Sequence, residues 1–241
     1  MGKVDDSHHP QDEGKPQEGS KADKGKCDQL EIFLSREVQT STEIEKGSVK
    51  KGEKLFDMGA SVRAVKGKSI GFAYTSSLSE KDMQRVIEEA TNFAKVVTPD
   101  PDFQSIVSPE PYPKVEKTVD EKIGSVEVEE ALDMASRVST AAQVDPRIYS
   151  VNVSVDLVSL DVAIVNSLGI SVSEGYTYVG ASASIISKNE DEMASGFEFQ
   201  EARKIKQIDF EWVGKEAAEQ SIKSLGARKI GSGRLPVIFG P

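Results

Sequence analysis

Apolar and polar side chains alternate with a period of two through most of this chain, and that pattern restricts it to a sheet. Leu30, Ile32 and Leu34 alternate with polar neighbours near the start, and Val151 and Val153 do so again in the second half. Successive side chains of a strand point to opposite faces, so the pattern predicts strands with one apolar face. Helical periodicity occurs in separate stretches between them, which predicts an α+β fold.

The first strand-rich stretch contains turn signals at Gly47, at Gly59 and in the Lys-Gly-Lys sequence at 66–68. Glycine at such breaks is typical of hairpins, so we expect an antiparallel meander of about four or five strands. A helix should follow, because Ser79 and Asp82 form a weak capping box. The helix has an apolar stripe at helical spacing, which consists of Met83, Val86, Ile87, Ala90, Ala94 and Val97.

A cluster of prolines then marks a domain boundary. Its members are Pro99, Pro101, Pro109, Pro111 and Pro113. Prolines at this density favour extended backbone and interrupt regular structure. We therefore place an N-terminal α+β domain at 28–97, a proline-rich linker at 98–117 and a central α+β domain at 118–233.

The central domain begins with a helix from about Ser125 and continues with strands. The apolar stripe of the helix consists of Val128, Ala131, Leu132, Ala135, Val138 and Ala142. Turn signals at 166–169 and 188–191 separate the strands that follow. Asp209 is expected to cap a last helix, which Gly226 ends.

The two ends of the chain differ from its middle. Residues 1–27 are nearly free of apolar side chains, which predicts a disordered tail. The apolar sequence 235–239 predicts a new strand, and the chain stops just after it at Pro241. We expect 234–241 to be the start of a C-terminal domain, and the chain to be truncated before the rest of that domain.

Residue types for metal or nucleophilic chemistry are scarce. Both histidines, His8 and His9, lie in the predicted tail, and the single cysteine, Cys27, stands at its boundary. Zinc sites and activated serine or cysteine nucleophiles need histidine or thiolate groups held by folded elements. The sequence therefore predicts no catalytic, cofactor-binding or metal-binding residue. Phe210, Trp212 and Val213 at the start of the last helix are predicted to be core residues rather than a ligand platform.

Carboxylate pairs and glycine motifs have simpler interpretations than catalysis. Glu43 and Glu45 would share one face of a strand, and the acids at 190–192 would occupy a turn. Acid–base chemistry needs burial or a close partner, so both groups predict solvated surface. The Gly-Lys-Ser sequence at 67–69 lacks the context of a phosphate-binding loop and predicts a turn. Gly-Ser-Gly at 231–233 predicts a loop.

Charge and hydropathy disfavour several partners. The formal net charge is −10 and the sequence pI is about 4.9, with Lys and Arg interspersed among acids. Phosphate backbones need clustered cations, so nucleic acid is not an expected partner. No apolar run approaches the roughly 18 residues of a membrane helix, so no membrane partner is expected. A polar amino terminus and a lone cysteine predict a cytoplasmic protein.

Short segments in a particular order stand out in both domains. The first domain contains Glu-Ile-Glu-Lys-Gly at 43–47, Gly-Ala-Ser-Val-Arg at 59–63 and Gly-Phe-Ala-Tyr-Thr at 71–75. The second contains Asn-Ser-Leu-Gly at 166–169, and the chain ends in Leu-Pro-Val-Ile-Phe-Gly-Pro. In their order and spacing these segments resemble the TldD/PmbA family, whose members were once called modulators of DNA gyrase. The resemblance covers nearly all of the chain beyond the tail.

The resemblance implies a function in peptide breakdown. Catalytic members of the family resemble zinc metallopeptidases, which cut small or unfolded peptides with a His-Glu-x-x-x-His pair in the C-terminal domain. PmbA-like members lack those ligands and form the other half of a heterodimer. No residue of this chain matches the motif, so zinc is expected only in missing sequence of a catalytic-type protein.

Three interpretations stay open at this point. The chain is the N-terminal part of a metallopeptidase-family protein involved in proteolysis of small or unfolded peptides, or it belongs to a non-catalytic PmbA-type partner subunit. The third, disfavoured by the acidic charge, is a nucleic-acid-associated modulator. Whether the protein is an enzyme is left open. The expected partners are a TldD/PmbA-type subunit, in a homo- or heterodimer, and an unfolded peptide that pairs with strand edges.

Overall fold

The chain forms a sheet and three α-helices in a computed structural model that describes residues 26–113, 115–229 and 231–239. The strands are β1 (Gln29–Glu45), β2 (Ser48–Lys66), β3 (Ser69–Thr75), β4 (Ile148–Asn166), β5 (Ser171–Asn189) and β6 (Glu192–Ala202). They form a six-stranded antiparallel sheet in the order β3-β2-β1-β4-β5-β6. The predicted α+β class is confirmed. Most of the predicted tail, residues 1–25, lies outside the described residues.

Two long strands, β1 and β2, and the seven-residue β3 make up the N-terminal meander, so the predicted meander is confirmed but the predicted number of four or five strands is wrong. The predicted turns around Gly47 (φ 76°) and Gly67 (φ 60°) are confirmed, and both glycines adopt the left-handed backbone that glycine tolerates best. The predicted turn at Gly59 is wrong. Gly59 lies inside β2 opposite Ser35, where a Cβ atom would come within 2.8 Å of the Thr75 carbonyl oxygen. The glycine permits a close backbone approach and does not reverse the chain.

β1 joins the segments on either side of the linker. It pairs with β2 on one edge and with β4 along most of the other edge. The predicted turn after Asn166 is confirmed, and the Asn166 side chain accepts the N–H groups of Leu168 and Ile170. The N-terminal and central segments therefore contribute strands to the same sheet.

The three α-helices pack on the same face of the sheet. α1 (Glu80–Val96) covers β2 and β3, where Gly71 lies directly against the backbone of Ala90. α2 (Val128–Ala141) packs over β1 and β4, and α3 (Phe210–Lys223) over β5 and β6. One face of the sheet is thus covered along most of its width.

Apolar side chains beneath the helices form two clusters. The cluster under α1 consists of Val62, Ala64, Ala73, Val86, Ala90 and Ala94. The larger cluster, under α2 and α3, includes Val153, Val155, Leu157, Val179, Ala181, Ala183, Ile185, Ala135, Val138, Val213 and Ala217. Small and β-branched side chains dominate both clusters, so the helices approach the sheet closely, and burial at about 25 cal/mol per Å² holds them there.

α1 and α3 begin where the sequence predicts, and α2 begins later. Ser79 Oγ accepts the N–H of Asp82 and caps α1, as predicted. α2 begins at Val128, later than expected, because the residues around Ser125 form a separate 3-10 turn. Asp209 caps α3 by accepting the N–H of Trp212. Phe210 and Val213 are core residues, as predicted, but the same prediction is wrong for Trp212, which is 40% exposed.

The C-terminal segment differs from its prediction. Within the described range 231–239 the chain forms neither strand nor helix, so the strand predicted at 235–239 is wrong. None of the six strands of the sheet pairs with this segment, and Ile238 is 96% exposed. None of the helices in the described ranges is long and apolar enough to span a membrane.

Candidate functional site

The face of the sheet opposite the helices is left without a helix in the part of the chain that the structure describes, and we call it the open face. On β1, the Thr40 hydroxyl donates a hydrogen bond to the Val126 carbonyl just before α2, and the Thr42 hydroxyl donates one to the Ala131 carbonyl in α2. The odd-numbered residues of β1, such as Phe33, Ser41 and Glu43, therefore point to the opposite side. Strand pairing carries this alternation across the whole sheet.

One half of the open face is apolar. This apolar half consists of Phe33, Leu55, Tyr74, Val158, Leu160, Val162, Ile164, Val172 and Tyr176. Its side chains form rows across the strands: Ser61 lies between Tyr74 and Phe33, and Ile164 lies on the other side of Phe33. Tyr74 is 84% exposed and Leu55 is 50% exposed. Large apolar side chains gathered on an uncovered face are typical of an interaction surface.

The other half of the open face is acidic and has a floor of small residues. This acidic half consists of Glu43, Glu53, Asp156 and Glu201 around Ser41, Ser154, Gly180, Ser182 and Ser184. In the register of the sheet, Gly180 lies between Asp156 and Glu201. Because the floor side chains are short, the surface forms a depression of about 330 Å³, and Asp156, Tyr178 and Glu201 line it.

Tyr178 crosses over Gly180 to reach Glu201. Its hydroxyl donates a hydrogen bond of 2.8 Å to Glu201 Oε1. A Cβ atom at position 180 would lie 2.4 Å from that hydroxyl oxygen, so glycine is what makes the crossing possible. Burial raises the pKa of Tyr178 to about 12, and the hydrogen bond and charge of Glu201 and the charge of Asp156 add to the rise. At neutral pH the phenol is a proton donor that orients Glu201.

Asp156 is oriented by the neighbouring strand. Ser41 Oγ donates a hydrogen bond of 2.7 Å to Asp156 Oδ1. The pKa of Lys51 is raised, first by its hydrogen bond to Glu53 and further by the charges of Glu43 and Asp156. Glu43, Glu53 and Asp156 therefore all stabilise the protonated form of Lys51.

Aromatic rings border the acidic half on β6. Phe197 and Phe199 have ring centroids 5.9 Å apart, and each ring is about half exposed. A second depression, of about 380 Å³, shares Ser154 and Ser182 with the first and is lined by Asn152. The Asn152 Oδ1 atom is buried and has no hydrogen-bond partner among the described residues.

Acidic side chains dominate the charge of the open face. They are Glu31, Glu37, Glu43, Glu45, Glu53, Asp57, Asp156, Glu174 and Glu201, and the basic side chains beside them are Lys50, Lys51, Arg63, Lys188 and Arg203, the last lying over the Tyr176 ring. Lys50, Lys51 and Arg63 form ion pairs with acids of the same face. The excess of carboxylates gives this face a negative potential, which attracts cations and repels phosphate.

The carboxylates and histidines that the sequence analysis considered do not form one site among the described residues. Glu43 and Glu45 reach the open face, whereas Glu192, which begins β6 after the turn at 190–191, accepts the N–H of Gly226. His8 and His9 lie outside the described residues. Among the residues that the structure describes, no three His, Cys, Asp or Glu side chains are arranged to hold a metal ion. These residues do not fit the histidine- or thiolate-rich site that zinc requires.

The acidic half could not be located from the sequence. Glu43, Glu53, Asp156 and Glu201 come from four different strands, and only the strand register brings them together. One signal was present. Asp156 interrupts an otherwise valine-rich strand at the position that faces away from the helices, and a charged residue in the middle of a long strand indicates a solvated or functional face.

Comparisons with known sequences match both segments of the chain to one family. Residues 30–94 match the sequences described as PmbA/TldA metallopeptidase domain 1, and residues 121–225 match the PmbA/TldA metallopeptidase central domain. A "Metalloprotease TldD homolog" from Buchnera aphidicola is 23% identical, over 87% of this chain and 45% of the relative. "Metalloprotease PmbA" from Escherichia coli O157:H7 is 24% identical, over 89% of this chain and 48% of the relative.

Solved structures share the fold. A crystal structure described as a putative modulator of a DNA gyrase, from Thermotoga maritima, has a TM-score of 0.77 and 22% identity, over 85% of this chain and 46% of that chain. TldE from Thermococcus kodakarensis has a TM-score of 0.76 and 18% identity, over 82% of this chain and 45% of that chain. The chain spans about half the length of the relatives it matches.

Proposed function

The chain belongs to the TldD/PmbA family of metallopeptidase-related proteins, and from that premise we propose that it serves the proteolysis of small or unfolded peptides as a peptide-holding, non-catalytic module. The open face is the observation that carries this proposal. It combines a wide apolar half with an acidic half rich in hydrogen-bonding groups. Unfolded peptides expose apolar side chains and unpaired backbone groups, which are the groups such a surface binds.

Under this proposal the hydrolytic zinc site is formed outside the described residues. Those residues do not fit zinc, so we derive no hydrolytic step from them. The role of this chain is to hold an extended peptide by apolar contact and hydrogen bonds. Holding the substrate in one orientation lowers the entropic part of the barrier for a reaction that takes place elsewhere in the assembly.

We propose that the assembly is a homo- or heterodimer of TldD/PmbA-type subunits in the cytoplasm. Similarity to both a TldD homolog and a PmbA supports a family partner of either type. The single cysteine suits a reducing compartment. An acidic open face would repel DNA phosphates, so we do not propose a nucleic-acid function.

A cleavage assay tests this function. The purified chain, a TldD-type metallopeptidase subunit and a mixture of the two are each incubated with an unfolded, fluorescence-quenched peptide. We expect no cleavage by the chain alone and faster cleavage by the mixture than by the subunit alone. The enhancement should disappear when Phe33→Ser and Ile164→Thr are introduced together into the apolar half.

The matched control carries Leu78→Ser just before α1 and Val96→Thr at the end of α1, which change exposed apolar side chains outside the apolar half. It should retain the enhancement. Chelator-sensitive cleavage by the chain alone would contradict the proposed non-catalytic role. Equal rates for the subunit and the mixture would contradict the peptide-holding role.

A further inference from the structure

We propose that the acidic half of the open face selects cationic peptides, by receiving a Lys or Arg side chain in the depression that Asp156 and Glu201 line. This inference rests on the proposed function and adds the substrate class to it. Both carboxylates line the same depression of about 330 Å³, whose floor is made by Ser154, Gly180 and Ser182. The Tyr178 phenol covers Gly180, and beside it a long side chain can enter over Ser154 and Ser182, whose side chains are short.

Each carboxylate of the depression is held in place and still has a free acceptor. Ser41 donates to Oδ1 of Asp156, and Tyr178 donates to Oε1 of Glu201. Oδ2 of Asp156 and Oε2 of Glu201 have no hydrogen-bond partner within the described residues. A carboxylate that is already oriented loses little entropy when it binds a cation, and hydrogen bonds to charged groups are stronger than neutral ones.

The aromatic rings around the depression favour the same kind of ligand. Tyr178, Phe197 and Phe199 line it, and exposed aromatic faces attract ammonium and guanidinium groups. The neighbouring depression continues the strip past Ser154 and Ser182 to Asn152, whose buried Oδ1 lacks a donor. A peptide lying along the strip can extend over Ser154 and Ser182 while its cation lies beside the acids.

Charge decides between the possible occupants of this face. A second copy of the same face would bring the acidic halves together, and opposed like charges are unfavourable. Anionic lipid and nucleic acid would be repelled for the same reason. A peptide that carries both cations and apolar side chains complements the acidic half and the apolar half together. We therefore assign an extended basic peptide as the occupant.

Fluorescence anisotropy tests the assignment with the intact chain. The probe is a short, fluorescein-labelled, unstructured peptide of Lys, Leu, Gly and Ser, and its matched control has Glu in place of every Lys. We expect the basic peptide to bind, with an affinity that falls as salt rises, and the acidic peptide not to bind. The double variant Asp156→Asn, Glu201→Gln should weaken binding of the basic peptide by about tenfold.

The substitutions keep the internal hydrogen bonds, because Asn and Gln retain an acceptor oxygen for Ser41 and Tyr178. Circular dichroism will show whether the fold is intact. The control variant Glu129→Gln, Asp133→Asn removes two exposed acids from α2, on the other side of the sheet, and should bind like the original chain. Equal loss of binding in both double variants would overturn the inference, since it would report net charge alone.

The outcome separates this inference from the proposed function. Equal binding of the basic and acidic peptides, or unchanged binding by the Asp156→Asn, Glu201→Gln variant, would overturn the inference even if the chain enhances peptide cleavage. Conversely, selective binding of the basic peptide without any enhancement of cleavage would support the inference and contradict the proposed function.

Discussion

Replacing Gly196 by alanine should loosen the contact between β6 and α3. A Cβ atom at this position would lie 2.1 Å from the carbonyl oxygen of Ala217 and 2.6 Å from the backbone nitrogen of Ser221. Real Cβ contacts are longer by about an ångström, and both neighbours are helix backbone, so α3 must move as a unit. Overpacking of this kind typically costs about 1–3 kcal/mol.

Urea unfolding measures this cost. With a slope of about 1–3 kcal/mol per molar, a loss of about 2 kcal/mol lowers the midpoint by about 1 M. Gly233→Ala is the matched control, because nothing lies within 4 Å of a Cβ atom there and its φ is not positive. We expect the control to unfold like the original chain. An unchanged midpoint for Gly196→Ala would refute the close packing of α3 on the sheet.

Three further predictions concern ionisation. Tyr178, with a pKa of about 12, should be missing from the tyrosines that titrate near pH 10 in ultraviolet absorbance, and Tyr178→Phe should leave that titration unchanged. Because folding raises this pKa, the stability that Tyr178 contributes is present below pH 10 and is lost as pH rises through about 12. Urea unfolding at pH 9 and at pH 12 measures this loss. The pKa of Asp145 is lowered to about 2, chiefly by its side-chain hydrogen bond with Arg147 and further by the backbone N–H of Arg147, so its stabilising contribution should be lost as pH falls from about 4 through 2. Arg147→Gln should raise the carboxyl pKa seen by NMR toward its ordinary value, but not fully, because the backbone hydrogen bond remains.

Elements whose signals are local could be predicted from the sequence. Gly47 and Gly67 require a positive φ and mark real turns, and Ser79 and Asp209 mark real helix starts. Each depends on residues only a few positions apart. Alternation likewise predicted the strand-rich stretches, because one face of each strand is covered by helices.

Elements that depend on long-range neighbours could not be predicted in the same way. Gly59 has the composition of a turn, but its role is set by Thr75 on the adjoining strand. Trp212 has the hydrophobicity of a core residue, but its position on the first turn of α3 points it outward. The acidic half is the extreme case, since β4 and β6 bring Asp156 and Glu201 together only once the register is known.

Photo-crosslinking measures most directly whether the open face holds peptide. Benzoylphenylalanine replaces Phe199 on the open face in one variant and Trp212 on α3 in another, so that an exposed aromatic side chain is exchanged in both. Each variant is irradiated with the labelled basic peptide. We expect the peptide to crosslink at position 199 and not at position 212. Crosslinking at 212 alone, or equally at both positions, would contradict the claim that the open face is the peptide-binding surface.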